Sequence, residues 1–135
     1  MNSLAKTIDE YQLEGISGPM REQLEKYCRL LWSRNKYLNL TRHTDYQKFV
    51  SRDLLDTLQL SALIPAGMEV LDVGSGGGVP GIVLSILRPD LEISLAESVT
   101  KKSGALNQMI DQLALPIPVH NCRAEALLDD IRFDL

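Results

Sequence analysis

The chain has 135 residues and a mass of 15.1 kDa, a size typical of about one domain. An apolar fraction of 44%, a charged fraction of 24% and a mean hydropathy of −0.06 exclude the disordered, collagenous and membrane-spanning classes. The longest uncharged stretch, from Val73 to Leu87, is shorter than the roughly 18 residues of a spanning helix. We therefore expect a globular chain with no membrane partner.

The N-terminus and the cysteines indicate the compartment. The opening sequence MNSLAKTIDE has no basic lead followed by an apolar core, so we predict no signal peptide and a cytoplasmic location. Cys28 and Cys122 are too few for a disulfide framework and lack the spacing of zinc ligands. We expect two free thiols and no metal site.

The net charge of −4 is unevenly distributed along the chain, because residues 1–65 carry +1 and residues 66–135 carry −5. Between Lys26 and Arg52 the local charge reaches +6, and this stretch holds five of the seven aromatic residues. Cations interleaved with rings suit phosphate contact and base stacking, although a solvated helix face with its aromatics in the core is the alternative. The residues predicted to bind a nucleic acid are Arg34, Lys36, Arg42, Lys48 and Arg52.

Three helices are predicted in residues 1–65, which form an N-terminal helical, basic-aromatic segment. Leu4, Ile8 and Tyr11 recur at helical spacing before a Gly/Ser/Pro break, and Pro19 suits the first turn of a second helix. A third helix can be capped by Thr44 or Asp45 and ends at residues 65–67. The apolar positions predicted for its buried face are Phe49, Val50, Leu54, Leu58 and Leu63.

After Gly67 the pattern changes to β-α-β-α-β, with strands predicted at residues 69–73, 91–96 and 117–120 and helices at 80–87 and 100–113. Such alternation predicts a parallel sheet with right-handed crossovers, the first half of a doubly wound nucleotide-binding domain at residues 66–135. The pattern at 131–135 is typical of the opening of a fourth strand. We therefore expect the sequence to be a fragment of a longer protein.

The first predicted strand ends in a glycine loop that leaves the backbone open to a ligand. Asp72 precedes three alternating glycines, Gly74, Gly76 and Gly78. An acid before such glycines fits an S-adenosylmethionine loop, while the G-x-G-x-x-G pattern formed by Gly76, Gly78 and Gly81 fits a nicotinamide dinucleotide. Glu97, at the end of the second strand, suits ribose hydroxyls in either case. The loop alone leaves both cofactors open.

The string LDVGSGGGVPGIVLSILRPDLEISLAESVTKK, with Asn39-Leu40-Thr41 upstream and Arg123-Ala124-Glu125 downstream, resembles the bacterial 16S ribosomal RNA guanine-N7 methyltransferase family, RsmG/GidB. The resemblance covers nearly the whole chain, and Val79-Pro80-Gly81 and Asn39-Leu40-Thr41 are its most specific parts. The family usually has Arg-His where this chain has Arg52-Asp53.

The resemblance implies an α/β, Rossmann-like S-adenosylmethionine-dependent methyltransferase fold whose sheet lacks its C-terminal half in these residues. It implies S-adenosylmethionine as cofactor and cofactor contacts at Gly74, Val79, Ala124 and Glu125. It also implies an arginine after the fourth strand, which this sequence does not contain. Together with the glycine loop and the second strand, the predicted cofactor-binding residues are Asp72, Gly74, Gly76, Gly78, Val79, Glu97, Ala124 and Glu125.

The function implied by the resemblance is methyl transfer from S-adenosylmethionine to N7 of a guanine in 16S ribosomal RNA of the small subunit. Because N7 attacks through an in-plane lone pair, no general base is needed and no catalytic residue is predicted. We expect the 135-residue chain alone to be inactive, since half of the cofactor crevice would be missing. The alternatives are a nicotinamide-dependent oxidoreductase and a noncatalytic RNA-binding fragment.

Overall fold

The structure, a computed structural model, describes residues 3–74 and 76–123. The helical part comprises α1 (Leu4–Glu10), α2 (Gly18–Asn35), α3 (Tyr46–Lys48), a π-helical segment (Phe49–Leu54) and α4 (Leu55–Ser61). The sheet part comprises β1 (Glu69–Val73), α5 (Gly81–Leu87), β2 (Glu92–Ala96), α6 (Thr100–Leu113) and β3 (Val119–His120). This order confirms the predicted helices followed by β-α-β-α-β.

Side-chain caps explain where three of the helices begin. The hydroxyls of Ser3 and Ser17 and the carboxylate of Asp45 accept hydrogen bonds from backbone N–H groups of α1, α2 and α3, respectively. Each cap satisfies a donor that has no partner within its helix, which stabilises the helix by about 0.5–2 kcal/mol. Pro19 lies in the first turn of α2, as predicted, and Asp45 rather than Thr44 caps the third helix.

The third predicted helix contains a π-helical segment that the sequence pattern did not indicate. Phe49, Val50 and Leu54 are fully buried in this segment. The predicted buried face is wrong at Leu63, which is 79% exposed because α4 ends before it. Tyr11, which follows Leu4 and Ile8 at helical spacing in the first predicted helix, lies just after the end of α1 and is 39% exposed. A helical spacing identified these side chains, but they lie outside the turns that face the core.

The three strands form a parallel sheet in the order β1-β2-β3. Val70 of β1 pairs with Ile93 of β2, and Leu95 of β2 pairs with Val119 of β3. Among the described residues β1 is an edge strand, and Val73 at its end is 56% exposed. The predicted fourth strand at 131–135 lies outside the described residues.

One hydrophobic core joins the helical part to the sheet part. Two side chains of α2 also reach the end of α6: Gln23 donates to the Leu113 carbonyl at 3.0 Å, and Lys26 donates to the Gln112 carbonyl at 2.7 Å. Full burial of each leucine-sized side chain in such a core contributes about 1.5–3 kcal/mol. The domain boundary at residue 65 stays a prediction. The described residues on its two sides share one hydrophobic core.

No helix in the described ranges is long and apolar enough to cross a bilayer.

Candidate cofactor and RNA site

Glu97 connects the end of β2 to the glycine loop that follows β1. Its side chain is buried, with 6% of the residue exposed. Oε1 accepts a hydrogen bond from the Gly76 N–H at 3.0 Å, and Oε2 accepts one from the Val99 N–H at 3.0 Å. Each carboxylate oxygen keeps a second lone pair, so the predicted ribose contact stays a prediction. In the structure the carboxylate orders the loop.

Asp72 holds the end of the glycine loop that leads into α5. Its Oδ2 accepts a hydrogen bond from the Gly81 N–H at 3.0 Å, in the first turn of α5. The N–H groups of a first turn have no partner within their helix, and a negative charge there is favourable. Asp72 and Glu97 therefore stabilise the loop between β1 and α5 from two sides.

Tyr27 supports the same loop from α2, a contact that the sequence did not predict. Its hydroxyl donates to the Gly77 carbonyl at 2.6 Å, and the side chain is fully buried. A Cβ at Gly77 would lie 2.8 Å from the Leu40 carbonyl oxygen, so the loop can pack this closely only without a side chain. A phenolic hydroxyl on an otherwise apolar helix face was the signal for this role.

A cavity of about 390 Å³ lies between the glycine loop and the helical part. Its volume falls in the range of about 300–1,000 Å³ that is usual for ligand sites. The loop forms one wall; the segment after α2 and the π-helical segment form the other. The lining residues are Leu31, Leu40, Thr41, Arg42, His43, Asp53, Gly74, Gly76, Gly77 and Val79.

A His43–Asp53 pair forms part of the second wall. Nδ1 of His43 lies 3.0 Å from Oδ1 of Asp53, and the two side chains are 32% and 16% exposed. Partial burial raises the pKa of Asp53, and the hydrogen bond and charge of His43 offset part of that rise. The position of His43 is set by two further bonds, from its own N–H to Thr41 Oγ1 and from Trp32 Nε1 to its carbonyl.

The loop residues divide into those that face open space and those that pack against the protein. A Cβ at Gly74 would meet nothing within 4 Å, and the nearest atom to one at Gly76 would be 3.9 Å away. A Cβ at Gly78 would instead lie 2.5 Å from Ile82 Cδ1, so close packing and a positive φ of 95° both explain that glycine. The free space at Gly74 and Gly76 and the two nearby carboxylates fit a cationic ligand held against the loop backbone.

The predicted cofactor residues are therefore only partly brought together at the cavity. Gly74, Gly76 and Val79 line it. Asp72 and Glu97 lie behind the loop and position it, and Gly78 is a loop residue that packs against Ile82. Ala124 and Glu125 lie outside the described residues.

Four of the five predicted RNA-binding residues are exposed and form no ion pair with a described residue; these are Lys36, Arg42, Lys48 and Arg52. Arg34 is partly buried, and its guanidinium donates to the Leu30 carbonyl at 3.4 Å and to Gln112 Oε1 at 3.3 Å. Arg34 thus takes part in packing α2 against α6, whereas the other four cations face solvent.

Most of the aromatic side chains between residues 26 and 52 pack within the protein. Tyr27 and Phe49 are fully buried, and Trp32 packs against Tyr46 with ring centroids 5.1 Å apart. Tyr37 is the exception in this stretch, since it is 88% exposed. Of the five rings that alternate with cations in this stretch, the Tyr37 ring is therefore the one free to stack on a base.

Neither clustered ionisable side chains nor the two thiols form a metal site or a disulfide in the part of the chain that the structure describes. No three His, Cys, Asp or Glu residues there could hold a metal ion together. Cys28 and Cys122 are free thiols, as predicted. Burial raises the pKa of Cys28, so its thiol stays protonated and acts as a small apolar group of the core.

Two solved structures have the same fold. The structure of MtNAS in complex with MTA and tNA superposes with a TM-score of 0.56 at 20% identity, covering 85% of this chain and 43% of that chain. A mutant of MtNAS gives a TM-score of 0.60 at 17% identity, covering 85% and 46%. The predicted α/β fold with a parallel sheet is confirmed.

Sequence comparison identifies the family. The profile of GidB, described as rRNA small subunit methyltransferase G, matches residues 20–135. The ribosomal RNA small subunit methyltransferase G of Rhodopirellula baltica is 49% identical over 93% of this chain and 54% of its own length. The protein of that name from Chromobacterium violaceum is 41% identical over 88% and 57%, respectively. The chain spans about half the length of these curated relatives, and it belongs to the rRNA small subunit methyltransferase G (GidB) family.

Proposed function

We propose that this protein transfers a methyl group from S-adenosylmethionine to N7 of a guanine in 16S ribosomal RNA of the small subunit. The observation that carries the proposal is the cavity of about 390 Å³ that a glycine loop shares with the segment bearing the exposed cations. Membership of the GidB family supports this activity over a nicotinamide-dependent oxidoreductase. A ribosomal RNA substrate would also place the protein in the cytoplasm.

The glycine loop would hold the cofactor. Gly74, Gly76 and Val79 would contact it along the loop, and Glu97 would accept hydrogen bonds from its ribose through the lone pairs that the loop amides leave free. Two carboxylates beside the loop, Asp72 and Glu97, suit a ligand with positive charge. When bound, S-adenosylmethionine supplies an electrophilic methyl carbon on its sulfonium.

The contribution of the protein would be positioning rather than proton transfer. Guanine N7 carries its own lone pair and loses no proton, so the cavity needs no general base. Alignment of reacting groups accounts for up to about 7–11 kcal/mol of a barrier in favourable cases. Leu31 and Leu40 in the cavity wall would keep water from the aligned groups.

The exposed cations would hold the RNA backbone. Lys36, Arg42, Lys48 and Arg52 would neutralise phosphates, and Arg42 also lines the cavity. Tyr37, with its ring exposed next to Lys36, would offer a stacking surface for an unpaired base.

The test is methylation of undermethylated small subunits by the complete gene product with labelled S-adenosylmethionine. N7-methylguanine is detected as aniline-dependent cleavage of the RNA after reduction. We expect one site-specific cleavage, and Gly76→Val should weaken cofactor binding at least tenfold, because valine fills the open side of the loop and is strained at the positive φ of 54°. Gly15→Val, the same change at an exposed glycine that also has a positive φ, 79°, and open space around it, is the matched control and should bind normally.

Binding of RNA without any methylation would contradict the proposal and favour a noncatalytic RNA-binding protein. Quenching of fluorescence by NADH, with no binding of S-adenosylmethionine, would favour an oxidoreductase instead.

A further inference from the structure

Asp53 has spare acceptor capacity in the cavity wall. Its Oδ1 is paired with His43, and its Oδ2 forms no hydrogen bond with a described residue. The carboxylates of Asp72 and Glu97 are in contrast occupied by backbone N–H groups behind the loop. A carboxylate provides about four acceptor positions, so pairing with one imidazole leaves most of them open.

The fold holds this carboxylate in one place. The carbonyl of Asp53 accepts a hydrogen bond from Thr57 Oγ1 at 2.7 Å, within a π-helical segment of a kind that is frequent at functional sites. A carboxylate acceptor requires the proton on Nδ1 of His43, so the imidazole donates to Asp53 and fixes its orientation. The Asp53 side chain is 16% exposed and lines the cavity, so a ligand that enters the cavity can donate to its free oxygen.

Guanine supplies the matching donors. Its Watson–Crick edge presents N1–H and the exocyclic N2 amino group side by side, and no other standard RNA base presents two adjacent donors there. A carboxylate can accept both at once, a bidentate arrangement that adds geometric specificity to charge-assisted hydrogen bonds.

We propose that Asp53, oriented by His43, binds the Watson–Crick edge of the guanine that is methylated. This inference rests on the proposed function, since it assigns the base-binding group of the same cavity. Asp53 would select guanine, and His43 would act as a positioning residue.

The same contact would favour the reaction. The N7 lone pair forms a bond to the methyl carbon, the carbon–sulfur bond breaks with its electron pair passing to sulfur, and no proton moves. The base gains a positive charge that is shared by N1–H and the N2 amino group. A carboxylate at that edge therefore binds the transition state more strongly than the neutral base.

The test uses nucleotides that differ by one amino group. The complete gene product, with S-adenosylhomocysteine present, is titrated with 7-methyl-GMP and with 7-methyl-IMP, which lacks the N2 amino group. We expect at least tenfold tighter binding of 7-methyl-GMP, and near-equal binding of both by Asp53→Asn. Asp111→Asn, the same change at an exposed position of α6, should keep the preference.

Equal binding of the two nucleotides by the unchanged protein, undetectable binding of 7-methyl-GMP, or a preference that survives Asp53→Asn would overturn the inference. If Asp53→Asn does not fold, the comparison in the unchanged protein decides. His43→Gln should reduce the preference only in part, because it removes the orienting group and leaves the carboxylate. Methylation of small subunits by the unchanged protein tests the proposed function separately.

Discussion

Single residues from three directions hold the glycine loop: Tyr27 from α2, Glu97 from the end of β2, and Asp72 from β1 itself. Each of these three hydrogen bonds joins a side chain to a backbone group. The loop is therefore preorganised before any ligand arrives, which lowers the entropic cost of binding. Tyr27 is the least expected of the three, because it lies 50 positions before the carbonyl that it contacts.

Tyr27→Phe should lower both stability and cofactor affinity. The change removes the hydroxyl that donates to the buried Gly77 carbonyl and leaves that carbonyl unpaired, at a cost of about 1–3 kcal/mol. Thermal unfolding and calorimetric titration with S-adenosylmethionine measure the two effects. Tyr46→Phe is the matched control, since its hydroxyl makes a longer, part-buried bond to Glu25, at 3.4 Å. Equal losses in both variants would show that the loop contact has no special role.

The candidate site could be predicted from the sequence only where its residues are local. Gly74, Gly76 and Val79 follow one strand directly. The glycine pattern identified Gly74 and Gly76, and the family resemblance identified Gly74 and Val79. The His43–Asp53 pair was not predicted, because it joins a loop to a π-helical segment and depends on packing. The resemblance drew attention to position 53 only through the absence of the usual histidine.

At the scale of elements, hydrophobic periodicity predicted the order of the helices and strands, because each element packs one apolar face against the core. The alternation after residue 67 predicted the order of strands and helices correctly, because each crossover helix must cover the parallel sheet. The π-helical segment was missed because the spacing of Phe49, Val50 and Leu54 also fits an ordinary amphipathic helix. Hydrophobic spacing reports which side chains are buried and does not distinguish the two helical geometries.

The surface from the end of α2 to the π-helical segment should dock RNA through charge. Lys36→Glu combined with Lys48→Glu removes two exposed cations that do not line the cavity. RNA affinity should fall, and its log–log salt dependence should flatten by about 0.7–0.9 for each phosphate that the protein no longer neutralises. Filter binding over a series of salt concentrations measures the slope.

The control for this surface is Lys6→Glu combined with Lys101→Glu, which changes the net charge equally at exposed positions of α1 and α6. This double variant should alter the salt dependence of RNA affinity less, since it changes only the overall electrostatic field of the protein. If both double variants have the same salt dependence, the basic stretch is an ordinary solvated helix face that does not contact RNA.

At the scale of the whole molecule, the helical part and the sheet part are joined at Arg88 as well as through the core. Its Nη1 donates to the carbonyls of Ser61 and Ile64, at the end of α4, at 2.7 and 3.1 Å. Its Nε and Nη2 donate to the two carboxylate oxygens of Asp90, both at 2.8 Å. Asp90 also accepts a hydrogen bond from the Gly67 N–H, before β1. One arginine thus connects the last helix of the first part to the turn before β2.

This junction should make the stability of the molecule depend on acid pH. The hydrogen bonds from Arg88 hold the pKa of Asp90 well below its usual range. A carboxyl with a depressed folded pKa contributes stability that is fully present above its unfolded pKa, near 3.9, and is lost as the pH falls through the folded pKa. Asp90→Asn should therefore have a lower Tm than the unchanged protein at pH 6, and the gap should shrink as the pH falls below about 4. Circular dichroism melts from pH 6 to pH 2 measure this gap, with Asp111→Asn as the exposed control. A gap that stays constant over this range would mean that the Asp90 carboxylate charge does not stabilise the junction.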